Sequence, residues 1–184
     1  HWLNNNTMNY QNCWMRVATT ADAAAVAAFA EMTFRATYAH ANTPEDMELY
    51  CRKTFSESLI VEDILMPDMQ YQLAIANNEL VGFIKLQWST PPMPMPFERP
   101  LQIARIYAHP EAKRMGIGRI LMASAKAFAT EQQHDYIWLG VWQQNEDAIA
   151  FYKKMGFAIV GTDTFLLGND LQLDWIMGMP VHSK

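Results

Sequence analysis

The chain has 184 residues, of which 51% are apolar, and its formal net charge is −5 at pH 7. This length and composition predict one domain with a single sizeable core. They disfavour a nucleic-acid partner, because no basic face is present, and a membrane protein, because no apolar run is long enough to span a bilayer.

The first residues are polar and rich in asparagine, and they lack the basic start and apolar centre of a signal peptide. We predict that residues 1–14 are a disordered extension or a non-native remnant and that residues 15–184 form the folded domain. Cys13 and Cys51 have no metal-ligand spacing, so we expect free thiols in a reducing cytoplasm and no metal site.

Strands and helices are predicted throughout the segment before residue 89. An alanine-rich stretch has apolar residues at helical spacing, Pro44 begins a second helix, and Asn77 and Asn78 occupy turn positions between two apolar strands. The predicted elements are a strand at 15–18, helices at 21–39, from 44 onward and at 57–65, and strands at 71–76 and 80–88.

Five prolines between Ser89 and Pro100 predict an extended loop without regular structure. This loop also carries Met93, Met95 and Phe97. These side chains either line the mouth of a substrate site or pack on the surface of the protein itself.

A strand at 101–108 leads through His109 and two glycines, Gly116 and Gly118, into an amphipathic helix. The helix places apolar side chains on one face. Unpaired amides at such a helix start, together with the helix dipole, favour phosphate, and glycine lets a phosphate approach the backbone closely. The positive charges nearby are Lys113, Arg114 and Arg119. No third glycine at dinucleotide spacing and no Gly-Lys-Ser/Thr sequence follows, so this pyrophosphate turn is neither a Rossmann site nor a P-loop.

A second strand and helix follow. Apolar residues predict a buried strand at 136–142, Asn145 is placed to cap a helix at 146–155, and Gly156 ends that helix. Strands near 158–160 and 171–177 complete the predicted elements.

The sequence from Asn145 to Phe157 resembles the second signature of the GNAT superfamily of N-acetyltransferases. The phosphate turn of that family reads Gln/Arg-x-x-Gly-x-Gly/Ala, and residues 113–118 match it, except that Lys113 keeps the charge without the planar guanidinium. The resemblance covers approximately residues 15–181. It implies an α/β GNAT fold, which is a single domain with a mixed, twisted central sheet of about six to seven strands flanked by helices.

The resemblance also implies a function. The protein is expected to move an acetyl group from acetyl-CoA, its co-substrate, to a primary amine by direct attack in a ternary complex. Tyr152 is expected to protonate the leaving thiolate, although a packed core aromatic would explain it too. The implied cofactor-binding residues are Ile106, Tyr107, Ala108, Lys113, Arg114, Met115, Gly116, Ile117, Gly118, Arg119, Asn145, Tyr152 and Lys154.

The general base stays open among Glu31, Tyr38, Tyr107 and His109, and His109 also suits a turn. A homodimer is left open as well.

The acceptor amine is predicted from charge and from a narrower resemblance. Residues 1–100 hold 11 acids and 6 bases, whereas residues 101–184 hold 8 of each. Carboxylates of the N-terminal half therefore either face a cationic substrate or form an ordinary solvated helix surface. Segments near both chain ends, at 34–38, 42–46 and 164–174, resemble the bacterial spermine/spermidine acetyltransferase branch. A polyamine or other small amine is therefore expected. The alternatives are a protein N-terminus or lysine as acceptor, or a catalytically silent acyl-CoA-binding regulator.

Overall fold

The computed structural model describes residues 12–112 and 115–182. In this part of the chain, a seven-stranded sheet has the order β1-β2-β3-β4-β5-β7-β6, and only β4 and β5 pair in parallel. The strands are β1 Trp14–Val17, β2 Met69–Ala76, β3 Glu79–Gln87, β4 Pro100–Ala108, β5 Tyr136–Trp142, β6 Ala158–Leu167 and β7 Asp170–Pro180. The helices are α1 Ala23–Tyr38, α2 Pro44–Thr54, α3 Glu57–Leu65, α4 Ile117–Glu131 and α5 Glu146–Lys154. The predicted α/β fold with a mixed sheet is confirmed.

Two predictions of chain segments need correction. β1 begins at Trp14, inside the segment predicted to be disordered, because Trp14 pairs with Ile75 of β2; residues 1–11 lie outside the described residues. The strands of the C-terminal β6–β7 hairpin are also longer than predicted, since the pairing continues up to the turn at Gly168.

Local signals explain several element ends. The Thr43 hydroxyl accepts a hydrogen bond from the Asp46 amide at 3.2 Å, and Ser56 caps α3 in the same way. Asn77 and Asn78 both have positive φ, as a tight hairpin turn between β2 and β3 requires.

The sheet has two covered faces. Helices α4 and α5 pack on one face through the core that includes Leu121, Phe128 and Tyr152. Helices α1, α2 and α3 pack on the other face of β2 to β4, through a core that includes Phe34 and Phe83.

A buried ion pair fixes α3 to the sheet. The Asp63 carboxylate accepts hydrogen bonds from Lys85 Nζ at 2.8 Å and from the Tyr71 hydroxyl at 2.7 Å. Burial lowers the pKa of Lys85, although Asp63 opposes this shift.

The proline-rich loop packs on the protein itself. Phe97 stacks on Tyr136 with ring centroids 4.2 Å apart, and Met93 and Met95 join the same apolar cluster. Trp138 Nε1 donates to the Ser89 carbonyl oxygen at 2.8 Å. Of the two alternatives for this loop, the structure shows packing of its apolar side chains on the protein itself.

The pairing between β4 and β5 is short. Only three residue pairs connect the strands, from Pro100↔Tyr136 to Gln102↔Trp138, and beyond them the two strands separate. The Asp135 carboxylate accepts hydrogen bonds from the amides of Glu98 and Arg99 at this closed end, at 2.8 and 3.0 Å. The fold thus contains a gap between β4 and β5 that is fixed at one end. Among the described residues, no helix combines the length and apolar character that crossing a membrane requires.

Candidate active site

The open edge of β4 forms one wall of the gap. The His109 amide donates to the Val81 carbonyl oxygen on β3 at 2.9 Å. Backbone groups alternate in direction along a strand, so those of Tyr107 also point toward β3, whereas those of Ile106 and Ala108 point into the gap. Ile106 and Ala108 are therefore placed to pair with an extended ligand. The Tyr107 backbone is directed to β3 instead, so its predicted part in cofactor binding is not through these groups.

The pyrophosphate turn follows directly. Gly116 has φ +87°, in the left-handed region, and a Cβ built on it would meet no atom of the described residues within 4 Å. The described part of the chain therefore leaves the space in front of this residue open. The Ile117 side chain is buried in the core, so only its backbone amide can face a ligand. Met115 and Arg119 are exposed beside the turn. Lys113 and Arg114 lie outside the described residues.

Gly118 has a second role that the sequence motif does not reveal. A Cβ at Gly118 would lie 3.2 Å from Cζ of Phe151 on α5, so the glycine lets α4 and α5 pack closely. Lys126 of α4 donates to the Met155 carbonyl oxygen at the end of α5, at 2.5 Å. The turn and α5 are thus held together. Lys154 is exposed at the last residue of α5.

Tyr152 lies on the inner side of α5. It is buried beside Phe151 and Phe157, and burial raises its pKa, with a further rise from Tyr38. The hydroxyl therefore stays protonated and is suited to donate a proton. Asn145 caps the same helix by accepting from the Ala148 amide at 3.3 Å, as predicted.

An aromatic cluster lies on the opposite face of the sheet and bridges the separated strands. We define it as Tyr38, Tyr50, Tyr107 and Trp142; the rings of Tyr38 and Trp142 are 5.4 Å apart. Burial raises the pKa of all three tyrosines, and Tyr152 raises the pKa of Tyr107 further. Tyr152 is therefore near enough to influence the cluster, although α5 packs on the other face of the sheet.

Two of the four candidate bases are occupied elsewhere. Glu31 accepts two hydrogen bonds from Arg35, at 3.0 and 2.9 Å. His109 Nδ1 accepts from the Glu111 amide at 3.2 Å, which makes it a turn histidine. The other two, Tyr38 and Tyr107, hold their protons too tightly to act as bases, because burial raises both pKa values.

The sequence reasoning missed Asp174. It is opposite Trp142 in the β5–β7 register, and burial, together with the charge of Asp163, raises its pKa to about 6. One signal was available in the sequence: residues 158–180, the β6–β7 hairpin, contain three carboxylates and no lysine or arginine.

Several acids of the N-terminal half have structural partners instead. Glu48 pairs with Arg35 and Arg52, Asp63 pairs with Lys85, and Asp46 accepts from the Asn169 amide. These carboxylates are less available to a cationic ligand than their number suggests.

The tip of the β6–β7 hairpin touches α2. The Asn169 amide donates to Asp46 at 2.8 Å, and a Cβ on Gly168 would lie 2.5 Å from the Asp46 Cα. Gln172 Nε2 donates to the Asn42 side chain at 3.3 Å. These contacts close one side of the region around the aromatic cluster.

Comparison with known proteins gives concordant results. The model of the "Acetyltransferase (GNAT) family" matches residues 27–157. The chain is 30% identical over 150 residues to an uncharacterized N-acetyltransferase encoded in the pepI 3′ region of Lactobacillus delbrueckii subsp. lactis, covering 82% of this chain and 87% of that protein. It is 31% identical over 123 residues to the peptidyl-lysine N-acetyltransferase YiaC of Escherichia coli, covering 66% of this chain and 71% of that one.

A solved structure shares the fold. The PaiA N-acetyltransferase of Thermoplasma acidophilum, in complex with coenzyme A, superposes with a TM-score of 0.77 over 91% of this chain and 98% of that chain, at 24% identity.

Proposed function

The chain belongs to the GNAT family of acetyltransferases, and from this premise we propose that it acetylates a small primary amine by direct attack in a ternary complex. The family assignment makes it an acetyl-CoA-dependent N-acetyltransferase. The observation that carries the proposal is the gap between β4 and β5, because a cofactor strand edge, a proton donor and an aromatic cluster converge on it.

The residues of the gap fit acetyl-CoA. The open space before Gly116 and the amides at the start of α4 suit the pyrophosphate, and Lys113, Arg114 and Arg119 supply positive charge. The backbone groups of Ile106 and Ala108 suit the amides of the pantetheine arm. We place Asn145 near the same arm.

Acetyl-CoA supplies the acetyl group as a thioester. In the proposed mechanism, an amide of the open β4 edge stabilises the carbonyl oxygen as it gains negative charge. Tyr152 then donates its hydroxyl proton to the departing sulfur. The contact of Gly118 with Phe151 fixes α5, and hence Tyr152, relative to the pyrophosphate turn.

Charge and enclosure support a small cationic acceptor. The β6–β7 hairpin carries Asp163, Asp170 and Asp174 with no compensating cation of its own. The contact between Asp46 and Asn169 narrows the approach from the hairpin tip, which favours a slender alkylamine. Polyamines combine both properties, so we propose them as the preferred class.

A peptide lysine is the second candidate. Its side chain is also a slender alkylammonium, and the relative YiaC is a peptidyl-lysine N-acetyltransferase. We place the free amine first, because the hairpin contact with α2 closes one side of the region around the aromatic cluster.

A panel of amines with acetyl-CoA tests the proposal. We expect spermidine to be acetylated with a higher kcat/KM than an alkyl monoamine of similar length, and a lysine-containing peptide to react more slowly than either. Raising the salt concentration should reduce kcat/KM for spermidine most, because exposed charges are screened over about 10 Å at roughly 0.1 M salt. Preference for the peptide would move the assignment to protein acetylation. Binding of acetyl-CoA without turnover of any amine would favour a silent regulator.

A further inference from the structure

Asp174 has an unusual environment for a carboxylate. Its side chain is on the same face of the sheet as the aromatic cluster, beside Trp142 at the end of β5. Oδ2 is 3.1 Å from the point where a Cβ on Gly140 would lie. Because Gly140 has no side chain, the carboxylate can lean over β5 toward the gap.

The second oxygen of this carboxylate has no partner. Oδ1 is buried and accepts no hydrogen bond from any residue that the structure describes. Nor does a described lysine, arginine or histidine form an ion pair with Asp174. A buried, unsatisfied carboxylate oxygen is costly, and such groups concentrate at functional sites.

The ionisable groups around Asp174 favour the binding and release of a proton by its carboxylate. Tyr38 from α1 and Tyr50 from α2 face it and are neutral, because burial raises the pKa of both. Asp163 on β6 is directly opposite in the register and is negatively charged. Burial and Asp163 together raise the pKa of Asp174 to about 6, so the group is mostly ionised at pH 7 yet more basic than an ordinary carboxylate.

Resting on the proposed function, we infer that Asp174 is the general base that accepts one proton from the ammonium form of the acceptor amine. The neutral nitrogen then forms a bond to the thioester carbonyl carbon, and the carbon–sulfur bond breaks. The sulfur takes the proton of Tyr152, and the phenolate takes the second proton that leaves the new amide nitrogen. Asp174 releases its proton to water, so the reaction yields the amide, the free thiol and one proton.

The pH dependence of the wild-type protein is the first measurement. A free alkylamine has a pKa of about 10.4, so a protein that binds the ammonium form needs a base. With the fastest amine of the panel above, kcat/KM should have an acid limb near pH 6, where Asp174 becomes protonated.

Asp174→Asn keeps the shape of the side chain but cannot take a proton. We expect kcat/KM at neutral pH to fall by about a hundredfold or more, the acid limb near pH 6 to disappear, and kcat/KM to rise tenfold per pH unit up to the pKa of the amine. The affinity for acetyl-CoA should stay within about twofold, which also shows that the variant is folded. Asp174→Glu should recover part of the rate and restore an acid limb.

Asp163→Asn is the matched control. It removes the neighbouring negative charge but leaves the base in place, so the acid limb should persist and move to lower pH, whereas in Asp174→Asn it disappears.

Wild-type kcat/KM and an intact acid limb in Asp174→Asn would overturn the assignment. A raised KM with unchanged kcat and an intact limb would overturn it too, since Asp174 would then only bind the ammonium group. If the wild-type protein acetylates no amine, the proposed function fails first and this inference with it.

Discussion

The carboxylate of Asp174, which has no ion-pair partner in the part of the chain that the structure describes, should lower the stability of the folded protein. Burial raises its pKa from the usual 3.8 to about 6, and this difference corresponds to about 3 kcal/mol in the free energy of unfolding. The group is only partly buried, so solvent screening reduces the expected cost to about 1 to 2 kcal/mol at neutral pH. We therefore predict that Asp174→Asn is more stable than the wild-type protein at pH 7.

The expected increase in Tm is about 2 to 8 °C, because 1 kcal/mol shifts the Tm of a domain of this size by about 2 to 4 °C. The pH dependence gives a second check. The folded state binds the proton of Asp174 more tightly than the unfolded state does, so the contribution of this group is fully present below about pH 4 and is lost as the pH rises through about 6. The advantage of Asp174→Asn over wild type should therefore grow between these pH values and stay constant above them.

Thermal unfolding of wild type and variants across this pH range is the assay. Asp163→Asn is again the control, and it should change stability by no more than about 0.5 kcal/mol because Asp163 is exposed. A lower Tm for Asp174→Asn at neutral pH would refute the reasoning, since it would mean that the carboxylate makes a stabilising contact. Greater stability combined with lost activity would indicate that the protein keeps a destabilising carboxylate because catalysis requires it.

Three further predictions concern the site and its support. Tyr152→Phe keeps the ring and removes the hydroxyl, so steady-state kinetics should show kcat lower by about a hundredfold or more with unchanged acetyl-CoA affinity; wild-type turnover would make Tyr152 a packing residue only. Gly116→Ala forces a Cβ into the left-handed region without a steric contact to any described residue. Denaturation should therefore show a loss of about 1 to 2 kcal/mol in the free energy of unfolding, and an unchanged stability would contradict the backbone geometry. Asp63→Asn leaves the buried Lys85 without its partner, and we expect a loss of about 3 kcal/mol at neutral pH. That loss should shrink at higher pH, because the pKa of Lys85 is lowered in the folded state and the lysine then deprotonates.

Local sequence signals were sufficient to predict the two helices beside the proposed cofactor site. The helix ends at Gly116 and Asn145 depend on a left-handed glycine and on a side-chain cap, which are properties of single residues. For this reason the positions of α4 and α5 and the turn between β4 and α4 could be predicted closely.

The positions of the residues proposed to face the acceptor amine depend on long-range strand pairing, which local sequence signals do not reveal. Asp174 is beside Trp142 only because of the β5–β7 register. Likewise, the Tyr107 backbone is directed away from the gap by its pairing with Phe83. The net charge summed over residues 101–184 also concealed the acidic hairpin, because the lysines and arginines of that half fall outside residues 158–180.

A small rotation at the short pairing between β4 and β5 moves the far end of β4 by a larger distance. β4 continues for six residues beyond Gln102, so a rotation of about 5° at this pairing displaces its end by roughly 1.7 Å, at about 3.3 Å per residue. A misplacement of about 1 Å can cost about a hundredfold in rate. The hydrogen bonds of Asp135 therefore contribute to the reacting geometry, even though this residue is at the far end of the strand from Ala108.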